Sequence, residues 1–280
     1  MKKIEDSCIL VAGVVRNCEK KIQTDIFIIK KTLQSAKKIK WLIIESDSDD
    51  CTINCLLDLQ KNIDGFECIS LGSLSDSIPL RTERIAHCRN RYIQEIRNNA
   101  NYSDIDFVVV ADLDGVNDDI NEGSIKSCWE YDHWDVCTAN QSAPYYDVWA
   151  LRHKIWNPSD CWDLYRFFEK YSSDREQNKI AAIYSRMIRI PINNDWIEVD
   201  SAFGGLAVYK AKLFHEAEYC GIRSDGQEVC EHVPLNLKLR SLGYRIFINP
   251  KLINSGFNHH TRKLKLIHKI RRNIKRLVNI

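Results

Sequence analysis

No stretch of the 280 residues approaches the roughly 18 uninterrupted apolar residues that a membrane-spanning helix requires. The N-terminus has no long apolar run of the kind that marks a secretory signal, and Cys8–Val15 reads as a first strand instead. These two absences lead to the expectation of a cytoplasmic protein. The 11 cysteines include no Cys-x-x-Cys pair, so the closely spaced thiolates of a structural zinc site are missing. They are scattered and odd in number, which argues against a disulfide framework and for small buried apolar residues. There is no internal repeat and no Pro/Gly/Ser-rich linker. The length then suits one α/β domain with an elaborated second half.

What is present supports a folded core, since 44% of the residues are hydrophobic. The charge is unevenly placed. Between Thr261 and Ile280 there are eight Lys or Arg and no acid, leaving 32 basic against 38 acidic residues elsewhere, a net of −6. Within that tail Leu264, Ile267, Ile270, Ile274 and Leu277 fall on one helical stripe. A basic amphipathic helix over 262–278 suggests peripheral contact with the anionic inner face of a membrane. Docking on the acidic body, dimerisation and nucleic-acid contact are rivals, the last the least favoured.

Cys8–Val15, Trp41–Ser46 and Phe107–Ala111 are apolar runs that end in polar clusters, as strands buried on both faces do. Helical spacing lies between them, through Ile22, Ile26, Ile29 and Leu33, through Leu56, Leu57 and Leu59, and over the Arg-rich residues 83–98. A short strand is expected near Cys68, a helix from about Ala211 and a further strand over Tyr244–Asn249. Alternating strands and helices imply a mostly parallel, Rossmann-like sheet flanked by helices, with ligands beyond the carboxyl ends of its strands. Arg16-Asn17, Glu45-Ser46-Asp47 and Asp112-Leu113-Asp114 all stand at such ends, so the pattern gathers them in one crevice. Asp112 and Asp114, two apart on extended backbone, project to one side. Their mutual repulsion is relieved by a cation, and Mg2+ or Mn2+ shared with substrate phosphates is the usual partner. The plainer reading is a solvated acidic turn.

Together these pieces resemble the GT-A fold nucleotide-sugar glycosyltransferases, near the family-2-like set and the fungal capsule-associated mannosyltransferases. The matching segments are Val11–Glu19, Glu45–Thr52, Arg84-Ile-Ala-His-Cys-Arg-Asn90, Ala111–Val116, Tyr146–Arg152, Ser201–Tyr209 and Cys230-Glu-His232. The resemblance implies a GT-A domain over 1–260, with a nucleotide-binding half (1–118) and an acceptor-side half (119–260), followed by the tail at 261–280. It implies that Arg16, Asn17, Glu45 and Asp47 face the base and ribose of a UDP- or GDP-sugar. Arg84, Arg89 and Asn90 would lie over its nucleotide and phosphates, for which guanidinium suits bidentate contact. Asp114 would ligate Mn2+ or Mg2+ directly, Asp112 would hold ribose or a metal-bound water, and His259 or His260 would complete the coordination. Gly204 and Gly205 would let backbone approach the donor sugar. Glu231 would be the base for an acceptor hydroxyl, with His232 or Asp225 as substitutes, because Glu-His stands where relatives often carry an acidic pair.

The activity so implied is transfer of a sugar to a glycan, glycolipid or glycoprotein acceptor, for which the aromatic cluster from Trp129 to Trp156 offers a platform. Two alternatives stand beside it. A sugar-nucleotide nucleotidyltransferase would more often show a Gly-rich, basic phosphate loop where this chain has Ala12–Asn17. An inactive sugar-binding or membrane-bound scaffold of the same fold is opposed by the intact Asp112 and Asp114.

Overall fold

A computed structural model describes residues 1–258 and 261. In its first half β1 (Cys8–Val15), α1 (Ile22–Thr32), β2 (Lys38–Glu45), α2 (Thr52–Asn62), β3 (Phe66–Ser70), α3 (Arg81–Asn98) and β4 (Phe107–Ala111) alternate as the periodicity predicts. The second half adds α4 (Glu122–Lys126), β5 (Val136–Gln141), α5 (Cys161–Glu169), α6 (Arg175–Ala182), β6 (Ile197–Val199), β7 (Leu206–Lys210), α7 (His232–Ser241) and β8 (Ile246–Ser255). The strands form one eight-stranded sheet in the order β3-β2-β1-β4-β7-β5-β8-β6. Only β7 and β6 run against the others, so the sheet is mostly parallel.

Strand periodicity builds the layers. Leu10, Ala12, Leu42, Ile44, Val108 and Val110 point to one face and pack under α3 and α7. Ile9, Val11, Trp41, Ile43, Phe107 and Val109 point to the other, under α1 and α2. Burial on both faces is why these strands read as unbroken apolar runs. Each such Val, Ile or Leu withdrawn from water contributes about 1.5–3 kcal/mol before chain entropy is counted.

The second half departs from expectation in three places. The helix expected from Ala211 is a single 3-10 stretch, Ala211–His215. The strand expected over Tyr244–Asn249 is longer and passes through Pro250 to Ser255. There the β5–β8 register shifts, and the Asn140 side chain donates to the Pro250 carbonyl at 3.0 Å, supplying a bond the ladder lacks. Most of the aromatic cluster fills the core. Trp134 and Tyr145 are fully buried, and Phe107, Trp129 and Trp134 pack ring against ring. No helix among the described residues is long and apolar enough to cross a membrane.

Candidate active site

Parallel register brings the three polar clusters to one sheet edge. Val15 pairs with Glu45 across β1 and β2, and Ala12 with Val110 across β1 and β4. Beyond β4 the chain alternates, so Leu113 is buried while Asp112 is half-buried and Asp114 exposed in the crevice. The turn after them is built from buried amides. Asn117 donates to the Asp112 carbonyl at 2.8 Å and to the Gly205 carbonyl at 3.1 Å, and Asn254 at the end of β8 donates to Asn117 at 2.7 Å.

Gly205 is bound into the same structure: its carbonyl accepts the Asp112 amide at 2.9 Å. At φ 86° a side chain would be strained there, and its Cβ would meet the Tyr146 hydroxyl at 2.7 Å. Gly204 donates its amide to Asp147 at 2.9 Å. The glycine pair therefore fits backbone against protein as well as standing beside Asp112. Asp147, to which the sequence reading assigned no role, is thus a half-buried support of the strand-end turn; its place in the Tyr146–Arg152 segment was the one available signal.

Several of the expected nucleotide-contact residues make hydrogen bonds within the protein. Glu45 is 1% exposed and its carboxylate accepts from the Ser48 amide (3.0 Å) and the Ser70 hydroxyl (2.5 Å), so it braces the loop after β2. Asp47 sits at φ 58°, a left-handed conformation that Asp tolerates, and accepts the Leu74 and Ser75 amides. Arg84 donates to the carbonyls of Ile78 and Pro79. Asn90 clamps both backbone groups of Tyr219. Arg16 and Asn17 do stay exposed at the end of β1, with Arg16 donating to the Asp47 carbonyl at 3.1 Å.

Arg89 is likewise engaged within the protein. Only 2% exposed, it lies over the rings of Phe203 and Tyr219, its Cζ 5.4 and 5.5 Å from their centroids. Its Nε donates to Glu231 at 3.0 Å and its Nη2 to Asp112 at 3.2 Å. One buried cation thus bridges the expected base and the strand-end carboxylate. Glu231, just before α7, keeps 9% of its side chain open. His232 is buried, stacked on Phe203 at 3.8 Å, and burial pushes its pKa well down. Asp225 lies in an exposed turn, paired with Arg223 at 3.2 Å.

Burial drives the Asp112 carboxyl up to about 7; Arg89 opposes this, while Asp114, Glu231 and Asp147 add to it. A site whose carboxylates raise one another is one that a cation relieves, and hard oxygen donors suit Mn2+ or Mg2+. Among the described residues no three His, Cys, Asp or Glu side chains gather closely enough to hold a metal unaided. The expectations for His259, His260 and the tail at 262–278 lie outside the described residues.

Asp25 on α1 supports the same turn, accepting the Gly115 amide at 2.8 Å. Burial raises its pKa from 3.8 to about 6. A raised folded-state value means that the ionised form is what the fold disfavours. Stability tied to this group is therefore full below pH 3.8 and lost as the pH rises through about 6. Asp25→Asn is expected to match wild type near pH 4 and to be more stable by about 2 kcal/mol at pH 7. Urea unfolding across that range would show this, and parallel pH profiles for the two proteins would refute it.

No protein-family model matches the sequence, and no curated protein matches it. Solved structures do. A mannosyltransferase from Pyrobaculum calidifontis, determined in complex with GDP-Man and Mn2+, aligns with a TM-score of 0.53 at 14% identity, over 89% of this chain and 56% of that one. The chain thus spans little more than half the length of that enzyme. S. aureus TarS 1-349 with UDP-GlcNAc aligns at 0.47 and 12% identity, over 91% of this chain and 60% of that one. Glucosyl-3-phosphoglycerate synthase from Mycobacterium tuberculosis with UDP aligns at 0.43 and 10%, over 89% and 69%. With its parallel half-sheet, its carboxylates at the end of β4 and this likeness, the chain has the GT-A fold of nucleotide-sugar glycosyltransferases.

Proposed function

We propose that the protein is a metal-dependent glycosyltransferase that moves a sugar, of the hexosyl type, from a UDP- or GDP-linked donor to a hydroxyl acceptor. The observation that carries this is Asp112-Leu113-Asp114 ending a central strand of a GT-A sheet, with Glu231 joined to Asp112 through Arg89. The mannosyltransferase solved with GDP-Man and Mn2+ supports both the donor class and the metal.

Asp112 and Asp114 would hold Mn2+ or Mg2+, which when bound neutralises charge on the departing diphosphate. Arg16 and Asn17, exposed at the end of β1, would face the nucleotide. The acceptor oxygen attacks the anomeric carbon as the bond from that carbon to the diphosphate oxygen breaks. Glu231 takes the acceptor proton, and the Arg89 Nε that donates to it at 3.0 Å holds the carboxylate in place for that task. The acceptor is proposed to be a glycan or lipid-linked glycan in polysaccharide or glycoconjugate assembly, reached at a membrane surface through residues 262–278. Incubation of the protein with UDP- and GDP-sugars and Mn2+, reading nucleoside diphosphate release, tests the proposal. Release from one donor class that stops on chelation supports it, and no release from any donor, with or without a candidate acceptor glycan, counts against it.

A further inference from the structure

We propose that Arg89 is a built-in counter-ion that makes cation binding at Asp112 and Asp114 conditional on the nucleotide diphosphate. The inference rests on the donor-site reading above and concerns how that site is loaded.

Three observations converge on it. Arg89 already occupies one oxygen of Asp112, at 3.2 Å. It has little freedom to withdraw, being held by Glu231 at 3.0 Å and packed against the rings of Phe203 and Tyr219. Apart from Asp112 and Asp114, no third His, Cys, Asp or Glu among the described residues completes a metal-binding group. The neighbouring carboxylates are engaged elsewhere: Asp147 accepts the amides of Gly204 and Ala150, and Glu231 is held by Arg89 itself.

A divalent cation arriving alone therefore meets a partly neutralised Asp112 and a fixed positive charge one side chain away. Charges at such separations interact strongly at the low effective dielectric of a half-buried site. A diphosphate changes the balance, because its oxygens add negative charge and offer hard ligands of their own. The cation and the nucleotide then bind with positive coupling, each raising the affinity of the other by the same factor. Removing Arg89 would expose Asp112 fully and let the cation bind without the nucleotide. That direction is distinctive, since structural damage at this position would weaken metal binding.

The test is Mn2+ titration followed by the electron paramagnetic resonance signal of the free ion, with and without UDP or GDP. Arg89→Met alone strands a buried carboxylate, so the informative variant is the double Arg89→Met, Glu231→Leu, which removes both partners of that pair. Wild type is expected to bind Mn2+ at least roughly tenfold more tightly with nucleotide than without, about 1.4 kcal/mol. The double variant is expected to bind Mn2+ alone at least roughly tenfold more tightly than wild type, about 1.4 kcal/mol. Arg89→Lys, which keeps the charge, should follow wild type. A folded double variant whose affinity for Mn2+ alone equals or falls below that of wild type overturns the inference. So does a wild type that binds Mn2+ equally well with and without nucleotide, an outcome independent of whether any variant folds. If wild type binds Mn2+ in neither condition, the donor-site reading itself fails.

Discussion

Asp114→Ala is expected to lower Mn2+-dependent release of nucleoside diphosphate by about 10^3-fold or more, while the protein stays as stable as wild type. The size follows from what a cation contributes at a leaving diphosphate, several kcal/mol of transition-state stabilisation, at about 1.4 kcal/mol per factor of ten. The unchanged stability follows from position. Asp114 is exposed, and its charge adds to the pressure on Asp112, Asp25 and Cys18. Removing it relieves repulsion and opens no cavity, so the unfolding free energy should move by no more than about 0.5 kcal/mol. Steady-state rates and urea unfolding on the same preparations separate the two effects. Activity retained within tenfold would remove Asp114 from the metal site, and a large loss of stability would make it a structural residue.

Gly221→Ala should have the largest effect on folding of any Gly→Ala change in the chain. A Cβ at this position would lie 2.2 Å from both the carbonyl carbon and the carbonyl oxygen of Thr82, and 2.4 Å from the Glu83 nitrogen. These are backbone atoms in the first turn of α3, so no side-chain rotation offers relief. The loop over 216–231 must lift away, and it carries the parts that build the site. Tyr219 flanks Arg89, Glu228 accepts from the Thr82 hydroxyl at 2.7 Å, and Glu231 follows directly. Overpacking of this kind costs about 3 kcal/mol. The expected result in urea unfolding is a loss of about that size together with weakened catalysis, because Glu231 and Arg89 lose their seat. A change below about 0.5 kcal/mol would show that the loop does not rest on α3 in this way.

How much of this was legible in the sequence depended on burial pattern. β1, β2 and β4 are covered on both faces, and continuous apolar runs announced them. β5 escaped notice because Thr138, Asn140 and Gln141 are all fully buried polar residues, and their pattern looks like a loop. Their burial is tolerated because partners arrive from far along the chain, such as Phe247 and Pro250 for Thr138 and Asn140. The crevice and its two aspartates could be read from position alone, a carboxylate pair at the end of a buried strand. The role of Arg89 could not. An arginine on a helix reads as solvated or phosphate-facing, and what buries it is Phe203, Tyr219 and Glu231, each more than 100 residues later. The internal bonds of Glu45 and Asn90 were hidden for a related reason. Residue type names the bonds a side chain can make, whereas the fold decides whether ligand or backbone receives them.

The most direct measurement is thermal unfolding of wild type and Asp114→Ala against UDP-, GDP-, CDP- and ADP-linked compounds, each with and without Mn2+. A ligand that binds only the native state raises the melting temperature by mass action. If the strand-end aspartates form a donor site, wild type gains stability with one base, preferring UDP or GDP, the gain requires Mn2+, and it vanishes in Asp114→Ala. If no nucleotide shifts the transition in either protein, with or without Mn2+, the GT-A fold here serves something other than sugar transfer from a nucleotide donor.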